Sequence, residues 1–244
     1  MIFTFTDFGA SGPYLGQVKA VLHRLAPGVP VIDLVADAPA FEPKSAAYLL
    51  AALIRELPDG AVVLAVVDPG VGGERKPVVV EAGGCRLVGP DNGLFEPAIR
   101  QAAKPRAWEI VWRPERLSAT FHGRDLFAPI AARLAAGRTP TEAGCRAMAP
   151  PRRADWPDDL PSVVYIDHYG NAMTGTRAAT LPPDALVAIG GVRLRSARTY
   201  GEVPAGAPFW YENSIGLVEF AVNGGRADQA LPIAVGTEFE RVPS

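Results

Sequence analysis

The feature that most limits the fold of this chain is a run of seven apolar residues, AVVLAVV, at positions 61–67. It contains no polar residue that would face water, so it predicts a strand covered on both faces, as in sheets layered by helices. Shorter strand-like segments alternate with segments of helical spacing around it, which predicts an α/β domain over residues 1–145, with the sheet and helices in layers. The predicted strands are 2–6, 31–34, 61–67, 78–80, 86–88 and 108–111, and the predicted helices are 14–25, 45–57, 94–102 and 126–136.

The character of the sequence changes after Cys145. Prolines recur among charged residues and no apolar period persists, so residues 146–161 are interpreted as a linker. Beyond it, short apolar runs separated by Gly, Pro and Asn turns indicate a smaller all-β, barrel-like domain over residues 162–244. The predicted strands there are 163–166, 185–189, 192–194, 209–211, 217–222 and 233–235.

Composition narrows the class of protein. A formal charge of −2, a pI near 6.0 and scattered Lys and Arg residues argue against a nucleic-acid binder or an anionic-membrane binder. The longest nearly apolar stretch, 46–54, is too short to cross a bilayer, and Asp7 interrupts the opening residues where a signal peptide would be apolar. Cys85 and Cys145 are far apart and are interpreted as buried thiols, so the expected location is the cytoplasm.

Three phrases combine glycine with ionisable groups: TDFG at 6–9, DPGVGGER at 68–75 and FHGRD at 121–125. Asp7 follows a strand, where a carboxylate can accept two hydrogen bonds from a diol such as ribose; its alternative is a turn aspartate. Asp68 alone is ordinary turn chemistry, and Arg75, seven residues later, either pairs with it or is solvated. His122 precedes a predicted helix start, which favours an anionic partner, and a structural histidine is the alternative.

The other polar motifs are turn-like. Residues 89–93, GPDNG, predict a tight turn before a helix, and Asp167 with Asn171 fits a hairpin turn, as does Asn213 with Ser214. The glycines after Asp68 lack the Lys-Ser/Thr pair of a phosphate-binding loop, which argues against an NTPase. The acids and histidines show no H-x-x-x-H or paired-carboxylate spacing, so no metal site is predicted.

Six motifs in order carry a resemblance that runs nearly end to end: TDFG with PYLG at 13–16, residues 67–75, 89–94, 120–125 and 166–174, and Asn213-Ser214 ahead of Gly224. Together they resemble the S-adenosyl-L-methionine (SAM) hydroxide adenosyltransferases, or adenosine-forming SAM hydrolases, which are relatives of the fluorinating and chlorinating enzymes. The resemblance implies an N-terminal α/β domain joined to a C-terminal β-barrel. It also implies a homotrimer that holds SAM between the N-terminal domain of one subunit and the C-terminal domain of the next. SAM is the substrate, adenosine and L-methionine are the products, and no cofactor is implied.

The resemblance also implies roles for individual residues. The family's catalytic Asp, Arg and His set falls on Asp68, Arg75 and His122, which would hold a water molecule for in-line attack at C5′ of the ribose. The implied substrate contacts are the ribose hydroxyls for Asp7, the methionine amine for Asp167, adenine or its surroundings for Asn171 and Tyr200, and the methionine carboxylate for Ser214, with further contacts from Tyr14, Gly123, Asn213 and Gly224.

Two departures from the family pattern bear on the reaction. Gly12 stands where many members carry an acid before the proline, and the long insertion of the fluorinating relatives after the Arg75 region is missing. The short connection and the intact Asp-Arg-His set favour water over halide as the nucleophile. The alternatives are a halide-dependent 5′-halo-adenosine synthase and a nucleoside- or SAM-binding module with vestigial activity. The sequence does not identify the residue that accepts the water proton.

Overall fold

The computed structural model describes residues 1–242, so the last two residues of the predicted 162–244 domain lie outside the described range. The chain divides into two units, Met1–Trp156 and a second unit that begins at Pro157. The strands of the first unit are β1 (Ile2–Thr6), β2 (Val31–Val35), β3 (Val62–Val66), β4 (Pro77–Ala82), β5 (Cys85–Pro90), β6 (Arg106–Ile110) and β7 (Cys145–Met148). Its helices are α1 (Pro13–Leu25), α2 (Pro43–Leu53), α3 (Glu96–Gln101), α4 (Ala128–Ala135) and α5 (Pro140–Ala143), with a wider π-helical turn at Gly123–Phe127 ahead of α4.

The first unit is built on one mixed sheet with the strand order β2-β1-β3-β5-β4-β6-β7. The pairings from β2 to β5 are parallel, and those from β5 to β7 are antiparallel. All five residues of β3 are buried, as its apolar run predicts. Helix α1 packs against α4, with β1 and β3 residues in the same core, and α2 packs against α3.

The first unit extends further along the chain than the sequence predicts. Strand β7 pairs with β6, and Trp156 stacks on Tyr48 and fills the space where Gly93 has no side chain. The linker expected at 146–161 is therefore corrected: up to Trp156 these residues belong to the first unit. The sequence gives little sign of β7 because it is an edge strand whose middle residues are exposed, so it needs no apolar run.

The second unit contains β8 (Leu160–Ile166), β9 (Ala172–Arg177), β10 (Leu186–Ile189), β11 (Val192–Leu194), β12 (Pro208–Glu212), β13 (Leu217–Val222), α6 (Ala227–Ala230) and β14 (Phe239–Val242). The strands form two antiparallel sheets, β12-β13-β9-β8 and β11-β10-β14. The β-rich class is confirmed, but neither sheet closes on itself within residues 157–242, so a barrel is not confirmed. The strand predicted at 233–235 is wrong, because this segment is a loop in which Ile233 is buried in the core of the unit.

Candidate active site

The chain reverses its course across the first sheet between β1 and β3. From β1 it passes through α1 to β2 on one side, and then through α2 to β3 on the other side of β1. Open α/β sheets hold ligands at the carboxyl ends of the strands beside such a reversal. Asp7 follows β1 directly and Asp68 follows β3 after one residue, while Thr6 and Val66 are parallel register partners. The fold therefore places both carboxylates at this edge.

The loop that leads into α2 anchors Asp7. The backbone N–H of Phe41 donates to Oδ2 of Asp7 at 3.3 Å, and Phe41 has a φ of 62°, a left-handed conformation that is uncommon for a residue with a side chain. Burial raises the pKa of Asp7 above its usual value, and the negative charge of Asp68 adds to that rise. The carboxylate is thus held at the cleft by a strained loop residue.

Asp68 and Arg75 form a buried ion pair. Nε of Arg75 donates to both carboxylate oxygens of Asp68, at 3.1 and 2.9 Å, and Nη2 donates to Oδ2 at 2.5 Å. The two side chains are only 3% and 10% exposed, respectively, and the guanidinium lies 5.4 Å from the centre of the Phe127 ring. The pairing that the sequence left open is therefore present, and the geometry fixes both groups.

His122 is joined to this pair through the same guanidinium. Nη2 of Arg75 lies 2.9 Å from Nδ1 of His122. A guanidinium can only donate, so Nδ1 accepts, and a neutral His122 carries its proton on Nε2. Burial lowers the pKa of His122, and the positive charge of Arg75 lowers it further, because a protonated ring would face a second cation. The arrangement therefore favours a neutral imidazole.

Two glycines allow the loops of the site to approach each other. Gly72 has a φ of +82°, and a Cβ there would lie 2.6 Å from the carbonyl oxygen of Ala119, in the loop before His122. A Cβ at Gly123 would lie 3.0 Å from the ring of Phe8. Side chains at either position would separate segments that must touch, so these glycines are required for packing rather than for flexibility.

Asn92 supports the end of β3 from the turn that follows the neighbouring strand β5. Its Nδ2 donates to the carbonyl of Val67 at 2.8 Å, directly before Asp68, and its Oδ1 accepts from the N–H of Leu94 at 3.2 Å. The GPDNG turn predicted at 89–93 is therefore also a brace for the Asp68 loop.

A cleft of about 410 Å³ opens at this edge of the sheet. Its lining includes Asp7, Asp68 and His122, together with Tyr14 and Gly123. The aromatic rings of Phe8, Tyr14 and Phe121 pack on one another beside them, at centroid distances of 5.3–6.2 Å. The cleft thus offers acceptors, a neutral imidazole and an apolar aromatic surface to a ligand.

In the second unit, Asp167 and Asn171 interact across the turn between β8 and β9. Oδ1 of Asp167 accepts from the N–H of Asn171 at 2.8 Å, and Nδ2 of Asn171 donates to Oδ2 at 3.3 Å. Arg226 donates to the carbonyl of His168 in the same turn at 2.8 Å and is paired with Asp228. The hairpin turn predicted here is present, and segment 226–228 supports it.

A buried carboxylate, Glu219, connects several of the predicted substrate residues in this unit. Glu219 is 2% exposed and accepts hydrogen bonds from the Tyr211 hydroxyl and from Nδ2 of Asn213 at 2.7 Å. The hydroxyls of Tyr200 and Tyr211 lie 3.4 Å apart. Burial raises the pKa of Glu219, while the hydrogen bonds from Tyr211 and Asn213 oppose that rise.

The remaining two predicted residues lie at exposed turns beside this network. Ser214 is in the turn between β12 and β13, and Gly224 has a φ of +72° in the turn that follows β13. The structure thus gathers Asp7, Tyr14, Asp68, Arg75, His122 and Gly123 at one cleft of the first unit, and Asp167, Asn171, Tyr200 and Asn213 around or next to Glu219 in the second.

Sequence reasoning missed Glu219, Tyr211 and Asn92. Glu219 is the one charged residue in the apolar strand LVEFAV, and an isolated charge inside an apolar strand is a signal that could have identified it. Asn92 lies in a motif already interpreted as a turn, so its second role carried no separate signal.

No group of three or more His, Cys, Asp or Glu that could hold a metal occurs within residues 1–242. In the same part of the chain, no helix has the length and apolar character needed to cross a membrane.

Comparison with family models identifies the family of this chain from two long segments. The model of the SAM hydroxide adenosyltransferase N-terminal domain matches residues 2–144, and that of the C-terminal domain matches residues 161–240. The chain belongs to the SAM hydroxide adenosyltransferase family. The resemblance read from the motifs is therefore confirmed.

Curated relatives of this SAM hydroxide adenosyltransferase chain bear two kinds of name. A Thermus thermophilus protein named (R)-S-adenosyl-L-methionine hydrolase is 42% identical, with 96% of each chain covered, and a Salinispora arenicola protein of the same name is 39% identical, with 96% of this chain and 94% of the relative covered. A fluorinase from an Actinoplanes species is 24% identical over 74% of this chain and 73% of its own.

Solved structures of similar chains agree with the architecture. An uncharacterized conserved protein from Thermotoga maritima superposes with a TM-score of 0.89 at 30% identity, with both chains fully covered. A conserved hypothetical protein from Thermus thermophilus gives a TM-score of 0.78 at 41% identity, with 99% of each chain covered.

Proposed function

We propose that this protein hydrolyses SAM to adenosine and L-methionine by attack of water on C5′ of the ribose. Its family membership and its relatives named as SAM hydrolases support the reaction. The structural observation that carries the proposal is the contact of Arg75 with both Asp68 and His122 beside the cleft.

The demanding part of this reaction is the nucleophile. Methionine leaves as a neutral thioether, so the leaving group needs no acid, whereas water must be held in line with the C–S bond. Neutral His122 offers its Nε2–H as a donor to the water oxygen, and the carboxylate of Asp68 can accept a water proton. Arg75 keeps both side chains in fixed orientations and stabilises negative charge as hydroxide character develops.

The electrostatics of a closed site favour the same step. Loss of a proton gives the attacking oxygen the negative charge of a hydroxide. This charge and the positive charge of the sulfonium cancel in the transition state as the C–O bond forms and the C–S bond breaks. Removal of bulk water strengthens that attraction, and the aromatic surface of Phe8, Tyr14 and Phe121 supports such exclusion. The reaction as proposed involves no cofactor.

Roles for the substrate-binding residues complete the proposal. Asp7 would accept hydrogen bonds from the ribose diol, since its carboxylate lines the cleft next to Asp68. Asp167 would hold the methionine amine and Ser214 the methionine carboxylate. Asn171 and Tyr200 would lie near adenine, with Tyr14, Gly123, Asn213 and Gly224 as further contacts.

Mass spectrometry of the reaction in heavy-oxygen water tests the chemistry directly. Purified protein incubated with SAM should give adenosine labelled at its 5′ oxygen and an equal amount of unlabelled L-methionine. Label in the methionine, or SAM that is never consumed, would contradict displacement by water at C5′.

Variants test the roles of the cleft residues. Asp68→Ala and His122→Ala should fold and lose turnover, because each removes a group that holds the water. His23→Ala is the matched control, since His23 is an exposed residue of α1 outside the cleft lining. Normal turnover in both cleft variants would refute the assigned roles.

The fluorinase relatives make halide chemistry a second candidate. The connection after the ion pair is short, since only Lys76 lies between Arg75 and the first residue of β4, and this weighs against it. A 5′-chloro-adenosine product that grows with chloride concentration would support the halide reaction, and its absence would leave water as the nucleophile. Bound adenosine without SAM consumption would instead favour a binding module.

Assembly is part of the same proposal. We propose a homotrimer in which the C-terminal domain of a neighbouring copy completes each site, as the family resemblance implies. Light scattering should give three times the chain mass of 25.8 kDa. Mixed trimers of Asp68→Ala and Asp167→Ala chains, each inactive alone, should regain activity; if none is regained, sites shared between copies are refuted.

A further inference from the structure

Glu219 occupies the interior of a sheet in the second unit. Strand β13 lies between β12 and β9, and its six residues are all buried. Glu219 is the one charged residue among them and stands opposite Tyr211 in the antiparallel register. A carboxylate in such a position needs a specific explanation, because acids are rarely buried without a partner.

The surroundings of this carboxylate do not neutralise its charge. In the part of the chain that the structure describes, its hydrogen-bond partners are the Tyr211 hydroxyl and the amide of Asn213. The charge that acts on it is that of Asp167, which is also negative. An apolar side chain of similar size would pack here without the cost of burying a charge. Stability therefore does not account for Glu219, and its neighbours point to a role in ligand binding.

The carboxylate determines the orientation of Asn213. An ionised carboxylate only accepts hydrogen bonds, so Asn213 must turn its Nδ2 towards Glu219. Its Oδ1 then accepts from the N–H groups of Ile215 and Leu217 at 3.1 and 2.9 Å. These bonds shape the turn between β12 and β13, which presents Ser214.

The carboxylate orients a pair of tyrosines in the same way. The Tyr211 hydroxyl donates a hydrogen bond to Glu219, which leaves the Tyr211 oxygen to accept from the hydroxyl of Tyr200 at 3.4 Å. One acceptor thereby aligns Asn213, Tyr211 and, through Tyr211, Tyr200.

We infer that Glu219 is a positioning residue for the substrate: it holds the amide of Asn213, and through Tyr211 the ring of Tyr200, in the orientation that binds the adenosine part of SAM. The inference rests on the proposed function, from which Asn213 and Tyr200 take their roles. Glu219 acts through its neighbours and not on the reacting atoms, so it governs binding more than the chemical step.

Glu219→Gln tests this with little change in volume. The new NH₂ group faces the Tyr211 and Asn213 donors, so at least one hydrogen bond is lost and the Asn213 amide reorients. We expect the Kd for adenosine from calorimetry and the KM for SAM to rise about tenfold, with kcat changed by less than about threefold. A purely structural role would instead lower the amount of active protein and leave Kd and KM unchanged.

Glu96→Gln is the matched control. Glu96 is 3% exposed and accepts hydrogen bonds from Arg100 Nη2 at 2.9 Å and from the N–H of Arg153 at 2.8 Å, in the first unit outside the cleft lining. It should lose stability but keep the wild-type Kd and KM. Equal changes in both variants would overturn the inference, as would a wild-type Kd and KM in Glu219→Gln.

A second variant covers misfolding of the first. If Glu219→Gln does not fold, Tyr211→Phe removes the donor between Glu219 and Tyr200, and it should weaken adenosine binding; an unchanged Kd would overturn the inference.

Adenosine binding also separates the two proposals. Wild-type protein that binds adenosine but never consumes SAM refutes hydrolysis while the Kd comparison still tests Glu219. Hydrolysis of SAM by the wild-type protein, together with an unchanged Kd for adenosine in the variants, refutes only the role inferred for Glu219.

Discussion

Replacement of Asp68 by asparagine isolates the charge of the buried ion pair. The substitution keeps the size of the side chain but removes the negative charge that accepts three hydrogen bonds from Arg75. Arg75 is 10% exposed, so its guanidinium would stay buried without an anionic partner. Loss of one partner of a buried pair costs about 3–5 kcal/mol of the free energy of unfolding. For a chain of this length that corresponds to a fall in Tm of roughly 6–20 °C.

The second unit supplies a control with similar geometry but greater exposure. Arg177 donates from Nε and Nη2 to the two oxygens of Asp159, at 2.8 and 2.6 Å, and these side chains are 35% and 21% exposed. Water can replace the lost partner there, so Asp159→Asn should cost about 1 kcal/mol or less. The difference between the two variants measures the contribution of burial.

Thermal melts and steady-state rates provide the assay. Asp68→Asn should lose about 10²–10³ in kcat, the size of effect seen when one preorganised electrostatic group is removed. The double variant Asp68→Asn/Arg75→Met should be more stable than Asp68→Asn alone, because no unpaired charge remains. A fall in Tm no larger than that of Asp159→Asn, or a double variant whose losses simply add, would refute the reasoning.

Three further predictions concern other parts of the cleft. Because the pKa of His122 is lowered in the folded protein, the unfolded chain binds that proton more tightly, and the free energy of unfolding should fall as the pH drops below about 6.5. The acid limb of the pH–rate profile should also lie below that value, and a limb above it would contradict a neutral imidazole. Gly72→Ala should reduce turnover about tenfold or more, since its Cβ would meet the Ala119 carbonyl. Gly137→Ala, also at positive φ but in open space, should keep full turnover, and equal rates in the two variants would refute the packing role of Gly72. Asn92→Ala should lower both Tm and kcat, by about 1 kcal/mol in stability, and a variant that melts and turns over like wild type would show that the brace is dispensable.

Sequence predicts the part of the site that lies on strands better than the part that lies on loops. The pattern places Asp7 and Asp68 each at the end of a strand. Their proximity depends on the strand order β2-β1-β3, which only the structure shows. The contact between Arg75 and His122 joins residues 47 positions apart through two loops. No periodicity determines it, and only the motif resemblance brought the two residues together.

The second unit shows why some strands escape pattern analysis. Strand β9, AMTGTR, was not predicted because its core positions are threonines rather than apolar residues. Thr174 and Thr176 are buried, and their hydroxyls donate to the carbonyls of Val218 and Leu160, so polar side chains are satisfied inside the sheet. Glu219 is likewise a polar residue inside this sheet, where the Tyr211 hydroxyl and the Asn213 amide donate to its carboxylate.

The strand order of the first unit also determines the order in which its strands can pair during synthesis. During synthesis β1 can pair with β2 as soon as about forty residues have emerged, but its other edge stays open until β3 appears. The open edge of β1, a strand that is fully buried in the folded unit, is a template for pairing with another chain. Early release of the nascent protein therefore favours aggregation. Asp7 and Asp68 meet only when β3 inserts, after a long loop has closed at an entropic cost. A truncated chain that stops before β3 therefore has no cleft.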